Sequence, residues 1–250
     1  MNELHLFAGA GGGILGGMLL GHTCVCAVEI EPYPREILLQ RQRDGILPKF
    51  PIWDDVRTFD GIPWRGKIDC ICGGFPCTDI APCGKGAGIK GEHSSLWGEM
   101  ARIIDEVRPR YTFIENSAML NVRGIDRVLC DLSRLGYNAR WCTLGGECLG
   151  KTQRKRIWIL GQSNYFSLAG FSLQERTNIK EQIRSTTKPL YDPISKINRR
   201  TPIALDVRMD YGIPHWVDRF KATGMAQIPS VAATAFMVLK GDFEKNNNNH

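Results

Sequence analysis

The sequence has no Cys-x-x-Cys pair, no paired-histidine spacing, no apolar run of membrane-spanning length and no internal repeat. The first two absences argue against a zinc site. The third argues against a transmembrane helix: the most apolar early stretch, Gly9 to Gly21, is short and about half glycine, and reads as neither a span nor a signal peptide. The fourth argues against a solenoid or propeller. The nine cysteines are odd in number and follow no secretory signal, which fits a reducing cytosol better than a disulfide framework. Each reads first as a small buried apolar residue. Cys24/Cys26 and Cys70/Cys72 are spaced i, i+2, so on strands the two members of each pair are expected to share a face.

What is present is an ordinary globular composition. The 250 residues are 43% hydrophobic and 23% charged, enough for one large domain, or one with a small appendage, and too apolar for a disordered chain. Net charge is +6, from 32 basic and 26 acidic residues. Eleven Lys or Arg and three Asp or Glu fall between Lys151 and Arg200, so a basic segment is joined to a nearly neutral body. That asymmetry points to a polyanion, with DNA or RNA first, against the plainer reading of a solvated basic face.

Short apolar strands alternate with helices. Strands are expected at 3–8, 24–29, 68–72 and 111–115, helices from the glycine run to about Leu20, over 32–43, 97–107 and 124–135, and two strands joined by a turn over 140–161. A final helix is expected over 229–240, followed by a polar tail. This pattern predicts an α/β fold with a mostly parallel sheet and helices on both faces. Residues 75–95, rich in Gly, Pro, Ser and Lys, read as a long functional loop.

Four constellations carry chemistry. Leu6-Phe7-Ala8-Gly9-Ala10-Gly11-Gly12 is a strand running into a glycine turn, with Glu29 at the end of the next strand. Glycines allow close backbone approach to a ligand, and an acid at that place suits a ribose diol, in NAD, FAD or S-adenosylmethionine alike. Gly73-Gly74-Phe75-Pro76-Cys77 puts a thiol in a loop at the carboxyl end of a strand, where a thiolate can act as nucleophile. Glu115-Asn116 ends the next strand, and Arg154-Lys155-Arg156 places two arginines on one strand face.

Taken in this order, the motifs closely resemble the DNA (cytosine-5) methyltransferases of bacterial or phage type. The resemblance runs from Leu4 to about Leu239, except for roughly 163–208, and includes Trp97 to Asn116. It implies a Rossmann-like, S-adenosylmethionine-dependent fold with a mixed, mostly parallel sheet and a small target-recognition lobe. The implied layout is a catalytic and cofactor domain over 1–162, a recognition region over 163–208, a returning segment over 209–240 and a polar tail over 241–250. It implies Cys77 as the nucleophile on cytosine C6, Glu115 at the N3 and N4 edge, and Arg154 and Arg156 near the base. For S-adenosylmethionine it implies Phe7, Ala8, Gly9, Gly11 and Gly12 at the glycine turn, Glu29 on the ribose and Ile30 by the adenine. Asp55 and Val56 fall at the adenine amino group, and Gly74, Pro76, Leu96 and Ala226 toward the methionine end. For double-stranded DNA it implies Thr78, Lys85 and Gly86 in the loop after Cys77, and Arg176, Lys180, Arg184, Arg199 and Arg200 in the recognition region. No membrane, no metal and a monomer complete the expectation, in the cytoplasm of a bacterial or phage-infected cell.

The sequence departs from the family pattern at four places. Thr78 stands where the family has Gln, Ser117 where it has Val, and Gln153 abuts Arg154. The late Gly-Asn motif is Gly224-Met225-Ala226, and a methionine cannot supply the hydrogen bonds of an asparagine. A catalytically weakened DNA-binding relative is one alternative. A nucleotide-dependent oxidoreductase using the glycine turn is another, against which Cys77 and Glu115 argue because hydride transfer needs neither.

Overall fold

Four segments of the chain, 1–76, 96–145, 155–164 and 227–246, are described by the computed structural model. They belong to one compact unit formed by Met1–Ala169 with Gln227–His250. In chain order the elements are β1 (Asn2–Leu6), α1 (Gly12–Leu19), β2 (Thr23–Val28), α2 (Pro32–Arg43), β3 (Ile52–Trp53), β4 (Cys70–Gly73) and α3 (Leu96–Val107). There follow β5 (Tyr111–Ser117), α4 (Leu120–Arg123), α5 (Ile125–Arg134), β6 (Tyr137–Gly145), β7 (Lys155–Ser163) and α6 (Pro229–Asn246).

The strands form one sheet in the order β3-β2-β1-β4-β5-β7-β6. The first five are parallel to one another, and β7 runs antiparallel to both β5 and β6. The expected mixed, mostly parallel α/β sheet is therefore present. Alternation on the central strands explains how it is covered. Ile71 and Ile114 pack with Met100, Ile103 and Ile104 of α3 on one face. Cys70, Cys72, Tyr111 and Phe113 pack on the other with Ala232, Ala235, Phe236 and Leu239 of α6. The α3 contacts recur every three or four residues, as an amphipathic helix requires.

Three details differ from the sequence reading. Cys70 and Cys72 share a face, their sulfurs 3.6 Å apart, but Cys24 and Cys26 do not. Glu3 pairs with Cys24 and Leu4 with Cys26, so Val25 is an extra residue in β2, a bulge that turns the strand over. Strand β3 is only two residues long and was too short to register as a periodic pattern. The final helix runs on to Asn246 rather than ending at Lys240, because Phe243 extends the stripe of Phe236 and Leu239 into the core. The guanidinium of Arg140 covers its ring at 5.6 Å.

Burial is the fate of most of the described cysteines, as expected. Six are described, all free thiols, and four of them are buried. Burial pushes the Cys26 thiol up to about 11 and raises Cys24 further, so neither is a nucleophile. Among the described residues no helix is long and apolar enough to cross a membrane.

Candidate active site

The carboxyl ends of β1, β2, β4 and β5 deliver the site. After β1 the chain turns through Phe7, with φ 53°, a left-handed conformation that is rare for a side chain of this size, and then through Gly9 (53°) and Gly11 (86°). The turn is tied by Ala8 N–H to Val28 carbonyl (3.0 Å) and Gly11 N–H to Ala8 carbonyl (3.0 Å). Glycine at position 12 is a packing requirement: a Cβ there would stand 2.2 Å from the Gln227 carbonyl oxygen. Gly9 faces open space, with nothing within 4 Å of an added Cβ.

Glu29, just past the end of β2, reaches back to this turn. One carboxylate oxygen accepts Gly9 N–H (2.6 Å) and the other accepts Glu31 N–H (2.8 Å). Burial raises its pKa, and the two backbone hydrogen bonds oppose but do not cancel that shift. Ile30 beside it is 53% exposed, an apolar surface available to a planar ring. Asp55 and Val56 are placed differently. Arg57 grips the Asp55 carboxylate (Nη2 to Oδ2, 2.7 Å) and holds its pKa low, while Val56 is buried in the α3-side core.

The second part of the site joins β4, β5 and β7. The buried Asn116 side chain donates to the Phe75 carbonyl (3.1 Å), and Phe75 packs on Trp97. This hydrogen bond fastens the Gly74-Phe75-Pro76 turn, which leads into Cys77, to the end of β5. Gly74 lies so close to Glu115 that a Cβ would be 2.6 Å from its Oε2. The other Glu115 oxygen receives Arg156 Nε at 2.7 Å. That pairing follows from register: Arg156 sits opposite Ser117 on the antiparallel pair, and the diagonal neighbour on the same face is Glu115. The side chains are 22% and 11% exposed, so the ion pair is largely shielded from water. Pro76 is half-buried and Leu96, at the start of α3, packs on the core.

Gln227 was missed by the sequence reading. Its Oε1 lies 2.6 Å from the place of a Gly13 Cβ, and its Nε2 3.3 Å from that of Gly74. It therefore bridges the glycine turn and the turn before Cys77. Its position immediately after the late glycine motif was the available signal. Cys77, Thr78, Lys85, Gly86, Arg154, Arg176, Lys180, Arg184, Arg199, Arg200, Met225 and Ala226 lie outside the described residues.

The model of the C-5 cytosine-specific DNA methylase family matches residues 1–222. The Type II methyltransferase M.CviJI of Paramecium bursaria Chlorella virus IL3A is 31% identical over 157 residues, covering 62% of this chain and 41% of that protein. Type II methyltransferase M.NgoMIV of Neisseria gonorrhoeae is 30% identical over 206 residues, covering 78% of this chain and 62% of that protein. The chain thus spans about half the length of these curated relatives. Among solved structures, the S. pombe Dnmt2 methyltransferase superposes with a TM-score of 0.54 at 20% identity, over 66% of this chain and 51% of that one, a likeness of fold.

Proposed function

The chain belongs to the C-5 cytosine-specific DNA methylase family, and from that premise we propose that it transfers a methyl group from S-adenosylmethionine to C5 of cytosine in duplex DNA. The observation that carries this reading is the coupling of Glu115 to Arg156 and of Asn116 to the Phe75 carbonyl. A shielded carboxylate and the loop of the nucleophile are held by adjacent residues of one strand.

The described residues fit S-adenosylmethionine. Gly9 opens onto free space, and each Glu29 oxygen has accepted one N–H and keeps a further lone-pair direction for a ribose hydroxyl. Phe7, Ala8, Gly9, Gly11 and Gly12 would line the turn, Ile30 the adenine, and Gly74, Pro76, Leu96 and Ala226 the methionine end. Asp55 and Val56 would stand at the adenine amino group, the Asp55 carboxylate keeping acceptor capacity beside Arg57. When bound, S-adenosylmethionine supplies an electrophilic methyl group.

Cytosine C5 is a poor nucleophile, and the chain's residues correct this. The Cys77 thiolate adds to C6, forming a C–S bond and moving electron density to C5. Glu115 holds the N3 and N4 edge and assists protonation at N3, with Arg156 fixing its orientation and Arg154 beside the base. Once C5 carries its new substituent, loss of the C5 proton expels Cys77 by β-elimination and restores the thiolate. A cytosine inside a duplex must first be flipped out of the stack. Thr78, Lys85 and Gly86 would close over the DNA. Arg176, Lys180, Arg184, Arg199 and Arg200 would contact phosphates and base edges in the recognition region, read as 163–208. We further propose that it acts as a monomer in the cytoplasm of a bacterial or phage-infected cell, in restriction-modification, in protection from it or in regulation.

Purified protein incubated with S-adenosylmethionine and mixed-sequence duplex DNA is expected to leave 5-methylcytosine at a recurrent short motif, read by sequencing. Intact DNA binding with no methylation contradicts the proposal. Met225→Asn restores a donor and an acceptor at the late motif, and S-adenosylmethionine binding is expected to tighten by up to about tenfold, the equivalent of one hydrogen bond. Calorimetry showing equal or weaker binding would mean that Met225 has a compensated role of its own.

A further inference from the structure

Strands β1 and β4 carry, just before the two loops of the active site, a buried cluster that methyl transfer does not use. Glu3, His5 and Cys72 are 2, 4 and 6% exposed. Their oxygen, nitrogen and sulfur atoms all lie within 4.8 Å of one another. His5 and Cys72 are register partners on adjacent parallel strands, which is why residues so distant in sequence meet. His5 Nε2 stands 2.8 Å from one Glu3 oxygen, and His22 Nδ1 stands 2.7 Å from the other.

A second observation points to an occupant. All three residues line a cavity of about 10 Å³, together with Gly13 and Gly17 of α1 and Phe236 of α6. That is roughly the space one water molecule or one ion requires. The helix is shaped to leave it: a Cβ on Gly17 would stand 2.1 Å from Glu3 Oε2.

We propose that Glu3, His5 and Cys72 form a structural site for a divalent ion of the zinc type, with a water in the cavity as fourth ligand. One carboxylate, one imidazole and one thiol are the donor set that zinc accepts in tetrahedral geometry. Zinc bonds of about 2.0 Å to nitrogen and 2.3 Å to sulfur put those two atoms about 3.5 Å apart. The cluster therefore has to close by little more than about 1 Å. As the metal–sulfur bond forms, the Cys72 proton leaves to solvent, and His5 binds through Nε2 with its proton on Nδ1. His22, on the free oxygen of Glu3, orients that ligand from outside the coordination sphere. The ion would clamp β1 to β4 directly ahead of Phe7 and Gly74, stabilising the frame on which both loops are hung. Local spacing gave no hint of this site because its ligands come from two strands.

The test is a titration of the full chain, freed of metal by a chelator, with Co²⁺ alone and then Zn²⁺ alone. The expected result is a thiolate-to-cobalt charge-transfer band saturating at one equivalent and displaced by Zn²⁺. Cys72→Ala is expected to lose the band and weaken Zn²⁺ binding by roughly 100-fold or more, beyond the tenfold to 100-fold expected of an outer-shell change at His22. Cys70→Ala and Cys77→Ser are expected to keep the band. Zn²⁺ is expected to raise Tm in the parent protein and not in Cys72→Ala. If Cys72→Ala does not fold, Cys72→Ser serves in its place, and native mass spectrometry counts the zinc bound to the parent. No band and no bound zinc, or a band that persists without the Cys72 thiol, overturns the proposal; in the first case the cavity holds water only.

Discussion

Replacing Cys77 by serine is expected to abolish methyl transfer, by on the order of 10⁴-fold or more, while DNA and S-adenosylmethionine bind within a few-fold of the parent. A thiol titrates near pH 8.5 and is intrinsically nucleophilic, so a useful thiolate fraction exists at neutral pH. A serine hydroxyl has no such fraction unless an adjacent base removes its proton. Size and polarity are nearly unchanged, so the loop and its hold on DNA are expected to persist. Methyl incorporation from labelled S-adenosylmethionine, set beside electrophoretic binding to the same duplex, separates the two effects. Turnover within about 100-fold of the parent would mean that another residue attacks C6.

Glu115→Gln is expected to lower the methylation rate by about 10²- to 10⁴-fold, the range of a positioned proton-transfer group. The substitution keeps shape and a hydrogen-bond acceptor for Arg156, whose Nε lies 2.7 Å from the carboxylate. It removes the negative charge and the ability to hold or deliver a proton at cytosine N3. Cofactor affinity is expected to change less than about threefold, because the proposed cofactor contacts, Glu29 and the glycine turn, lie on other strands. Single-turnover kinetics reads this loss directly. A rate within about fivefold of the parent, with Arg156 still engaged, would remove Glu115 from the proton chemistry.

Some of this site was legible in the sequence because each part sits where an α/β sheet presents ligands. The glycine turn after β1, Glu29 after β2 and the Gly-Pro turn after β4 are all strand-end features, and strand ends could be read from short apolar runs. Their coupling was less legible. The Glu115–Arg156 pair depends on the antiparallel register of β5 with β7, which spacing along one chain does not disclose. The bulge at Val25 was hidden for the same reason: an extra residue is visible only against the partner strand, and it separated Cys24 from Cys26. Asp55 was read from a motif, and its ion pair with Arg57, two residues on, was not. The contacts of Gln227 and the meeting of Glu3 and His5 with Cys72 are tertiary features assembled from distant segments, so no window of sequence contained them.

The covalent intermediate at Cys77 is the centre of the account, and trapping it is the most direct measurement. In a duplex containing 5-fluorocytosine, fluorine replaces the C5 hydrogen, so no proton can leave and β-elimination is blocked. Protein, S-adenosylmethionine and this duplex are expected to give a denaturation-resistant complex, with the modified base mapped to Cys77 by peptide mass spectrometry and no complex from Cys77→Ser. Absence of the complex from active protein, or an adduct on any other residue, would contradict the mechanism.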